Sequence, residues 1–268
     1  MTGGLLTFRR HEEGVLLAGL AALVAVLSLL PLVRLLAEGL SVGGVISTEP
    51  LKRVLANPAT WIATRNSLES AIGGTALAVA LGSAVALVVA LTDFRARNAF
   101  VFCFVLPLMI APQVTALAWL QVTGPASPLL GLLGIAPPIG TRNPLYSREG
   151  VIVLLGLQYA PLVFLTVRAG LRNLPRELIE AAWSAGASRR MVLQTIVLPL
   201  LTPALIAGTA LAFVSCIGNF GIVALLGIPG NYLVLPTLIY QRLAGLGPSV
   251  LSEVAVLATV CSGIAVAG

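Results

Sequence analysis

Side chains that could carry out chemistry are scarce in this sequence, and they stand far apart. Its 268 residues include a single histidine, a single lysine and three cysteines, namely His11, Lys52, Cys103, Cys216 and Cys261. Each cysteine lies in an apolar stretch without metal-ligand spacing, which is typical of a packing residue. The lysine is not preceded by the glycine-rich pattern that cradles phosphates. We therefore expect no catalytic residue, no metal site, no cofactor site and no nucleotide site.

Five uncharged polar side chains lie inside long apolar stretches, where a polar group needs a specific partner or role. They are Gln113, Thr115, Gln158, Ser215 and Asn219. Each could line a polar path through the molecule, or it could form a hydrogen bond between helices, which is the commoner case. Both explanations stay open for these candidate pathway residues.

One charged segment, residues 172–199, interrupts the apolar sequence. Pro175 can begin a short helix, because the N–H that proline lacks would be unpaired there anyway. Gly186 can end that helix, and Ser188 can cap a second one. Pro199 then begins the next long helix. The segment is therefore predicted to be a helix-turn-helix between two apolar stretches.

The second short helix of this segment has an apolar side and a basic side. It would present Met191, Val192 and Leu193 to a groove on a partner, while Arg189 and Arg190 stay in water. A solvated connector with two apolar anchors explains the same pattern equally well.

The composition identifies lipid as the main solvent of the chain. Apolar residues make up 58% and charged residues only 10%, with a mean hydropathy of +1.01. Soluble domains carry about 25% charged residues, so an ordinary soluble domain is excluded. The net charge of +6 comes without any basic run longer than two residues. It therefore indicates membrane topology, and no nucleic-acid partner is expected.

Uncharged windows predict an all-α integral membrane protein with six transmembrane helices. About 20 apolar residues are needed to cross a bilayer. The predicted spans lie at about 14–36, 70–92, 99–122, 150–168, 203–226 and 250–268. Pro107 and Pro112 can kink the third of these spans around a cavity. An N-terminal segment, 1–13, precedes a single transmembrane domain, 14–268. Glycine and alanine recur along the second span, which predicts close packing against other helices.

The basic residues predict which loops face the cytoplasm. Nine of the sixteen fall within residues 1–13, 92–99 and 168–199. Cytoplasmic loops carry an excess of arginine and lysine, so we expect these segments, and the N-terminus, on the cytoplasmic side of the membrane.

The 172–199 segment resembles a known motif. Glu180, Ala181 and Ala182 are followed after three residues by Gly186, and nine residues later come Ile196, Val197, Leu198 and Pro199. This spacing is similar to that of the EAA loop in permease subunits of bacterial type I ATP-binding-cassette importers. The resemblance extends from about residue 66 to residue 247.

The resemblance implies that this loop is a cytoplasmic coupling helix, seated in a cleft on a separate ATPase subunit. The residues that match the motif and would carry the coupling are Glu180, Ala181, Ala182, Gly186, Ile196, Leu198 and Pro199. The implied partners are ATP-binding-cassette ATPase subunits, a periplasmic or extracellular substrate-binding protein, a second permease copy or half, and the lipid bilayer. The implied location is the bacterial cytoplasmic membrane, and the chain would be a transport subunit rather than an enzyme.

Looser resemblances concern the cargo. Residues 106–119, 219–230 and 238–242 are similar to permeases that handle ferric iron, thiamine, polyamines or 2-aminoethylphosphonate, and most similar to the ferric-iron type. Ferric iron is therefore the expected cargo, with the other three as alternatives. Ferric-iron permeases are often tandem fusions, and this chain, which ends inside the sixth span, is similar to a first half.

Two other classes of protein would also span a membrane. An intramembrane enzyme would need clustered acidic, histidine or activated serine residues at membrane depth, and the sequence has none. A gradient-driven carrier or channel would explain the spans, but it would not explain the EAA spacing.

Overall fold

The computed structural model describes residues 3–39, 41–42, 45–93, 95–138, 140–245 and 250–267. Within these ranges the chain is nearly all helical, as predicted. The helices are α1 (Gly3–Gly39), α2 (Glu49–Ala56), α3 (Pro58–Leu91), α4 (Arg97–Val105), α5 (Pro112–Thr123), α6 (Pro128–Leu132), α7 (Arg148–Arg172), α8 (Arg176–Ser184), α9 (Arg189–Val192), α10 (Leu198–Ile217), α11 (Gly221–Gly230), α12 (Leu235–Leu243) and α13 (Val250–Ala267). Two short strands, β1 (Ser41–Val42) and β2 (Val45–Ile46), pair antiparallel.

The chain divides into two compact units, Met1–Asn57 with Arg242–Val260, and Pro58–Gln241 with Cys261–Gly268. In the smaller unit, Gly39 lies against α13, where a Cβ atom would come within 3.4 Å of the Ala255 Cβ. An ion pair between Arg242 and Glu253, at 3.6 Å, also belongs to this unit.

The core of the larger unit forms where α3 packs against α7 and α10. Gly74, Ala78, Gly82 and Ala86 repeat every four residues along α3, and all four are buried. A Cβ atom at Gly74 would lie 2.9 Å from the Leu155 Cβ of α7. Small residues therefore let the helix backbones approach closely, which confirms the packing predicted for this helix.

Four helical stretches are long and apolar enough to cross a membrane. They are Pro58–Leu91, Arg148–Arg172, Arg189–Ile217 and Val250–Ala267. Two bent helix pairs raise the number to six if each pair is one span. In α1, the described apolar section, Leu16–Pro31, is shorter than a span, and the side chains of the predicted N-terminal segment 1–13 lie outside the described residues. Gly268, the predicted end of the last span, lies outside them too.

The helix expected over 99–122 is broken in the structure. After α4 comes one turn of 3-10 helix, Leu106–Met109, and Ile110 is extended before α5 begins at Pro112. The segments on the two sides, Arg97–Met109 and Pro112–Leu132, meet at 109°. Pro107 and Pro112 explain the break, because neither residue can donate a helical hydrogen bond.

The helix expected over 203–226 is also interrupted. The first part, α10, ends at Ile217, and α11 begins at Gly221. A further helix that the sequence did not suggest, α12, follows α11, and these two helices meet at 83°. Each of these two interruptions contains one uncharged polar residue, Asn219 after α10 and Asn231 after α11, which a window that counts only charges does not reveal.

Candidate functional site

The end of α8 has the geometry of a glycine-terminated helix. Gly186 adopts φ +82°, a left-handed conformation that glycine reaches without steric cost. The Gly186 N–H donates to the Trp183 carbonyl at 2.9 Å, and the Ala187 N–H donates to the Ala182 carbonyl at 3.0 Å. These two bonds form a Schellman motif and satisfy carbonyls that the helix end leaves free. The predicted helix end at this glycine is confirmed.

The helix after Gly186 begins at the predicted cap but continues further than expected. The Ser188 hydroxyl accepts the Met191 N–H at 3.3 Å and so caps α9. A π-helical turn, Leu193–Val197, then joins α9 to α10, and the Leu198 N–H donates to the Leu193 carbonyl. Arg189–Ile217 is thus one helical stretch.

Pro199 therefore does not begin a separate helix, and that prediction was wrong. A proline ring clashes with the carbonyl four residues earlier in a regular α-helix. The wider π-helical turn just before Pro199 relieves this clash, so the helix can pass through it.

The structure separates the EAA-matching residues into three groups. Glu180, Ala181 and Gly186 are exposed around α8. Ala182 and Ile196 instead pack against the buried cluster formed by α3, α7 and α10 together with Val192 and Val197. The last two matching residues, Leu198 and Pro199, are exposed at the start of α10.

Large apolar side chains surround the exposed part of α8. Leu178 is 47% exposed, Trp183 54% and Met191 56%. Leu178 and Trp183 flank the Glu-Ala-Ala sequence, yet sequence reasoning did not single them out. Among the three residues expected to face a partner, only Met191 does so, because Val192 is 4% exposed and Leu193 packs against the core.

Gln158 holds the first helix break. This side chain is 2% exposed, and its Nε2 donates to the Pro107 carbonyl at 2.9 Å and the Ile110 carbonyl at 3.5 Å. Backbone groups freed by a broken helix need such partners when no water reaches them. The Gln158 Oε1 atom has no hydrogen-bond partner among the residues that the structure describes.

Asn219 holds the second break in a similar way. It is 5% exposed, its Nδ2 donates to the Tyr159 hydroxyl at 2.8 Å, and its Oδ1 accepts the Ile222 N–H at 2.9 Å. Its partner Tyr159 adjoins Gln158 in the sequence of α7. One turn of α7 thus anchors both breaks.

The three other pathway candidates differ in their surroundings. Gln113 is exposed on α5, and a Cβ atom at Gly221 would lie 2.8 Å from its Cδ. The buried Thr115 hydroxyl is unpaired within the described part of the chain. Ser215 donates to the Leu211 carbonyl of its own helix at 2.7 Å, so it is not joined to the other candidates.

A polar cluster that the sequence analysis missed ties the turn between α11 and α12 to α3. Asn66 Nδ2 donates to the Leu233 carbonyl at 2.8 Å, and the Tyr232 hydroxyl donates to the Asn66 carbonyl at the same distance. The Ser67 hydroxyl accepts the Leu235 N–H at 2.7 Å. The sequence signal for this cluster was the pair of consecutive polar residues, Asn66 and Ser67, just before the predicted second span.

Curated relatives of this chain are transporter permeases. It is 32% identical over 165 residues to a probable molybdenum ABC transporter permease of Haloferax volcanii, a match that covers 62% of this chain and 58% of that relative. It is 30% identical over 252 residues to a probable sulfate transport system permease of Anthoceros angustus, covering 91% and 82%. A putative 2-aminoethylphosphonate permease of Salmonella choleraesuis is 29% identical over 204 residues, covering 74% and 70%.

A solved structure and a family assignment agree with these relatives. The fold is similar to that of a bacterial ABC transporter involved in the import of the acidic polysaccharide alginate, with a TM-score of 0.77 and 17% identity. The superposition covers 98% of this chain and 94% of that one. Residues 78–267 match the family described as binding-protein-dependent transport system inner membrane component. The chain therefore belongs to this family of inner-membrane transport components.

Proposed function

We propose that this chain is the permease subunit of an ATP-driven, binding-protein-dependent importer, and that α8 couples it to a separate ATPase. The observation that carries the proposal is the exposed surface formed by Glu180, Ala181 and Gly186 on a helix with a well-defined end. Small residues allow a partner to approach closely, and a carboxylate can form a charge-assisted hydrogen bond to a basic residue.

The connections of α8 explain how a partner's motion would reach the membrane. Ile179 and Ala182 pack against the buried cluster formed by α3, α7 and α10. On its far side, α8 is followed by the single helical stretch Arg189–Ile217. In sequence, α8 lies between α7 and this stretch, so a displacement of α8 would act on the last turn of α7 and on the first turn of Arg189–Ile217.

We place the translocation path near the two helix breaks. Gln158 and Asn219 fix these breaks from neighbouring positions, and the unpaired Gln158 Oε1 and Thr115 hydroxyl supply polar groups there. Irregular backbone at membrane depth is tolerated where it is buried in protein or lines a water-filled cavity. Gln113 and Ser215 belong to the proposed path with less structural support.

The wider assembly follows from the same proposal. The chain spans the bacterial cytoplasmic membrane with its N-terminus in the cytoplasm, as the distribution of arginines favours. It works with ATPase subunits, with a periplasmic or extracellular binding protein, and with a second permease copy or a fused second half. Residues 1–13 and 172–199 face the cytoplasm, and the rest forms one transmembrane domain.

For the cargo, we propose a small oxyanion such as molybdate, sulfate or a phosphonate. The names of three relatives that together cover most of the chain support this class. Ferric iron is the second candidate, and the similarity of residues 106–119 and 219–230 to ferric-iron permeases supports it. Polyamine and thiamine rest on the same looser similarity.

The test measures ATP hydrolysis by the complete complex in proteoliposomes, with its binding protein empty or loaded. Stimulation by the molybdate-, sulfate- or phosphonate-loaded protein alone is the expected result. Stimulation by the ferric form alone would replace the oxyanion with iron. Uptake that continues without ATP or without the ATPase would identify a gradient-driven carrier and contradict the proposal.

A further inference from the structure

Three arginines line one cavity at the ends of α3 and α7. Arg97, Arg168 and Arg172 share this cavity of about 320 Å³, and every other side chain that lines it is apolar. Like charges held together in this way repel one another at short range. Among the described residues, no carboxylate forms an ion pair with any of the three. Within the described residues, the cavity therefore has a concentrated positive charge that no carboxylate pairs with.

Two of these arginines are partly buried. The Arg168 guanidinium lies over the Phe164 ring, with 5.7 Å between Cζ and the ring centroid. Phe164 is fully buried and meets Phe104 edge-on, with ring centroids 5.3 Å apart. The Arg97 Nε atom is buried and has no hydrogen-bond partner in the part of the chain that the structure describes. A buried donor without a partner is costly, which favours a ligand that accepts hydrogen bonds.

The position of the cavity indicates which kind of molecule would supply the hydrogen-bond acceptor. Both α3 and α7 are long and apolar enough to cross a membrane, and both end at this cavity. The side chain at the end of α3, Leu91, lines the cavity and is 66% exposed. In a membrane that α3 and α7 cross, the arginines would therefore lie at the level of the lipid headgroups, next to an apolar surface exposed to the acyl chains.

We propose that this cavity is a binding site for the phosphate group of an anionic phospholipid. Arginine donates planar pairs of hydrogen bonds that match phosphate oxygens, and Arg97 Nε gains its missing partner. The acyl chains would cover the apolar end of α3. The cavity borders α8 through Ile179, so an occupied site would stabilise the base of the proposed coupling segment.

The experiment measures how many phospholipids the purified full-length chain retains in native mass spectrometry, alone and bound to its ATPase. The probes are phosphatidylglycerol, phosphatidylcholine and inorganic phosphate. The test variant combines Arg97→Gln, Arg168→Gln and Arg172→Gln. A matched control removes two exposed charges outside the cavity, Arg189→Gln with Arg190→Gln.

The site predicts one phosphatidylglycerol retained by the wild type and by the control but lost from the triple variant. The wild-type melting temperature should rise when phosphatidylglycerol is added, and that rise should be absent from Arg97→Gln alone, which keeps the other two charges. Equal retention in all variants would overturn the proposal. Displacement of the lipid by millimolar inorganic phosphate would also overturn it, because that result indicates a free-phosphate site. Loss of the lipid on ATPase binding would overturn it too, because that result indicates a protein interface. Native mass spectrometry measures lipid retention without any transport step, so the lipid proposal can fail while the importer proposal stands.

Discussion

Polar groups are exposed around α8 but buried at the two helix breaks, which lie between α4 and α5 and between α10 and α11. Around α8, Glu180 and Gly186 are exposed, and the hydrogen bonds join residues close in sequence. At the breaks, Gln158 and Asn219 are buried and bind groups 51 and 60 residues away. In the proposed function the first region is the surface that a partner recognises, whereas the buried bonds of the second hold an irregular backbone. Substitutions should therefore damage binding in one region and folding in the other.

The largest effect on folding is expected from Gln158→Leu. The substitution keeps the bulk but removes the side-chain donor of the Ile110 carbonyl and one of the two donors of the Pro107 carbonyl, which keeps the Ile110 N–H. The expected cost is about 1–3 kcal/mol. Thermal unfolding of the purified chain in detergent measures this loss. The control is Ser215→Ala, whose hydroxyl bonds only within its own helix and should change stability by less than about 0.5 kcal/mol. Equal melting temperatures for both variants would mean that the long-range bonds of Gln158 stabilise the fold no more than the local bond of Ser215, which contradicts the role given to the breaks.

A smaller effect on folding is expected from Gly186→Val. A branched side chain at φ +82° costs about 1–2 kcal/mol and disrupts the end of α8. There is open space around this position, so the loss comes from the backbone conformation alone. Gly186→Asn should restore most of the stability and of the ATPase association, because asparagine tolerates this conformation. If asparagine is no better than valine, the left-handed backbone is not the reason for glycine here.

The difference between the regions also explains what the sequence predicted. Gly186 and Ser188 were recognised as a helix end and a cap because both act on neighbouring backbone groups. The partners of Gln158 and Asn66 were not predicted, since bonds over 51 and 167 residues depend on how the helices pack. The break between α10 and α11 was missed because the uncharged window continues through it, whereas Pro107 and Pro112 marked the first break in the sequence.

The π-helical turn before Pro199 is a local feature that sequence reasoning nevertheless misjudged. A proline in an apolar stretch suits both a helix start and a distorted helix interior. Packing of Ile196 and Val197 against the core keeps this stretch helical, so the distortion replaces the expected start.

The smallest effect on folding is expected from neutralising α8. Glu180→Gln and Glu177→Gln each remove one exposed charge from the same helix. Neither should change the melting temperature of the free chain by more than the equivalent of about 0.5 kcal/mol. A large loss from Glu180→Gln would mean that this carboxylate supports the fold, and the contrast with Gln158 would no longer hold.

The most direct test of the coupling proposal is the affinity of the ATPase subunit for the Glu180→Lys permease. The control is Glu149→Lys, an exposed carboxylate at the end of α7 opposite α8. We predict that Glu180→Lys weakens ATPase binding at least tenfold while the control binds like the wild type, because only Glu180 belongs to the proposed contact surface. Both variants should keep the wild-type melting temperature. Equal ATPase affinity for the two variants would contradict the account and leave α8 as a simple connector.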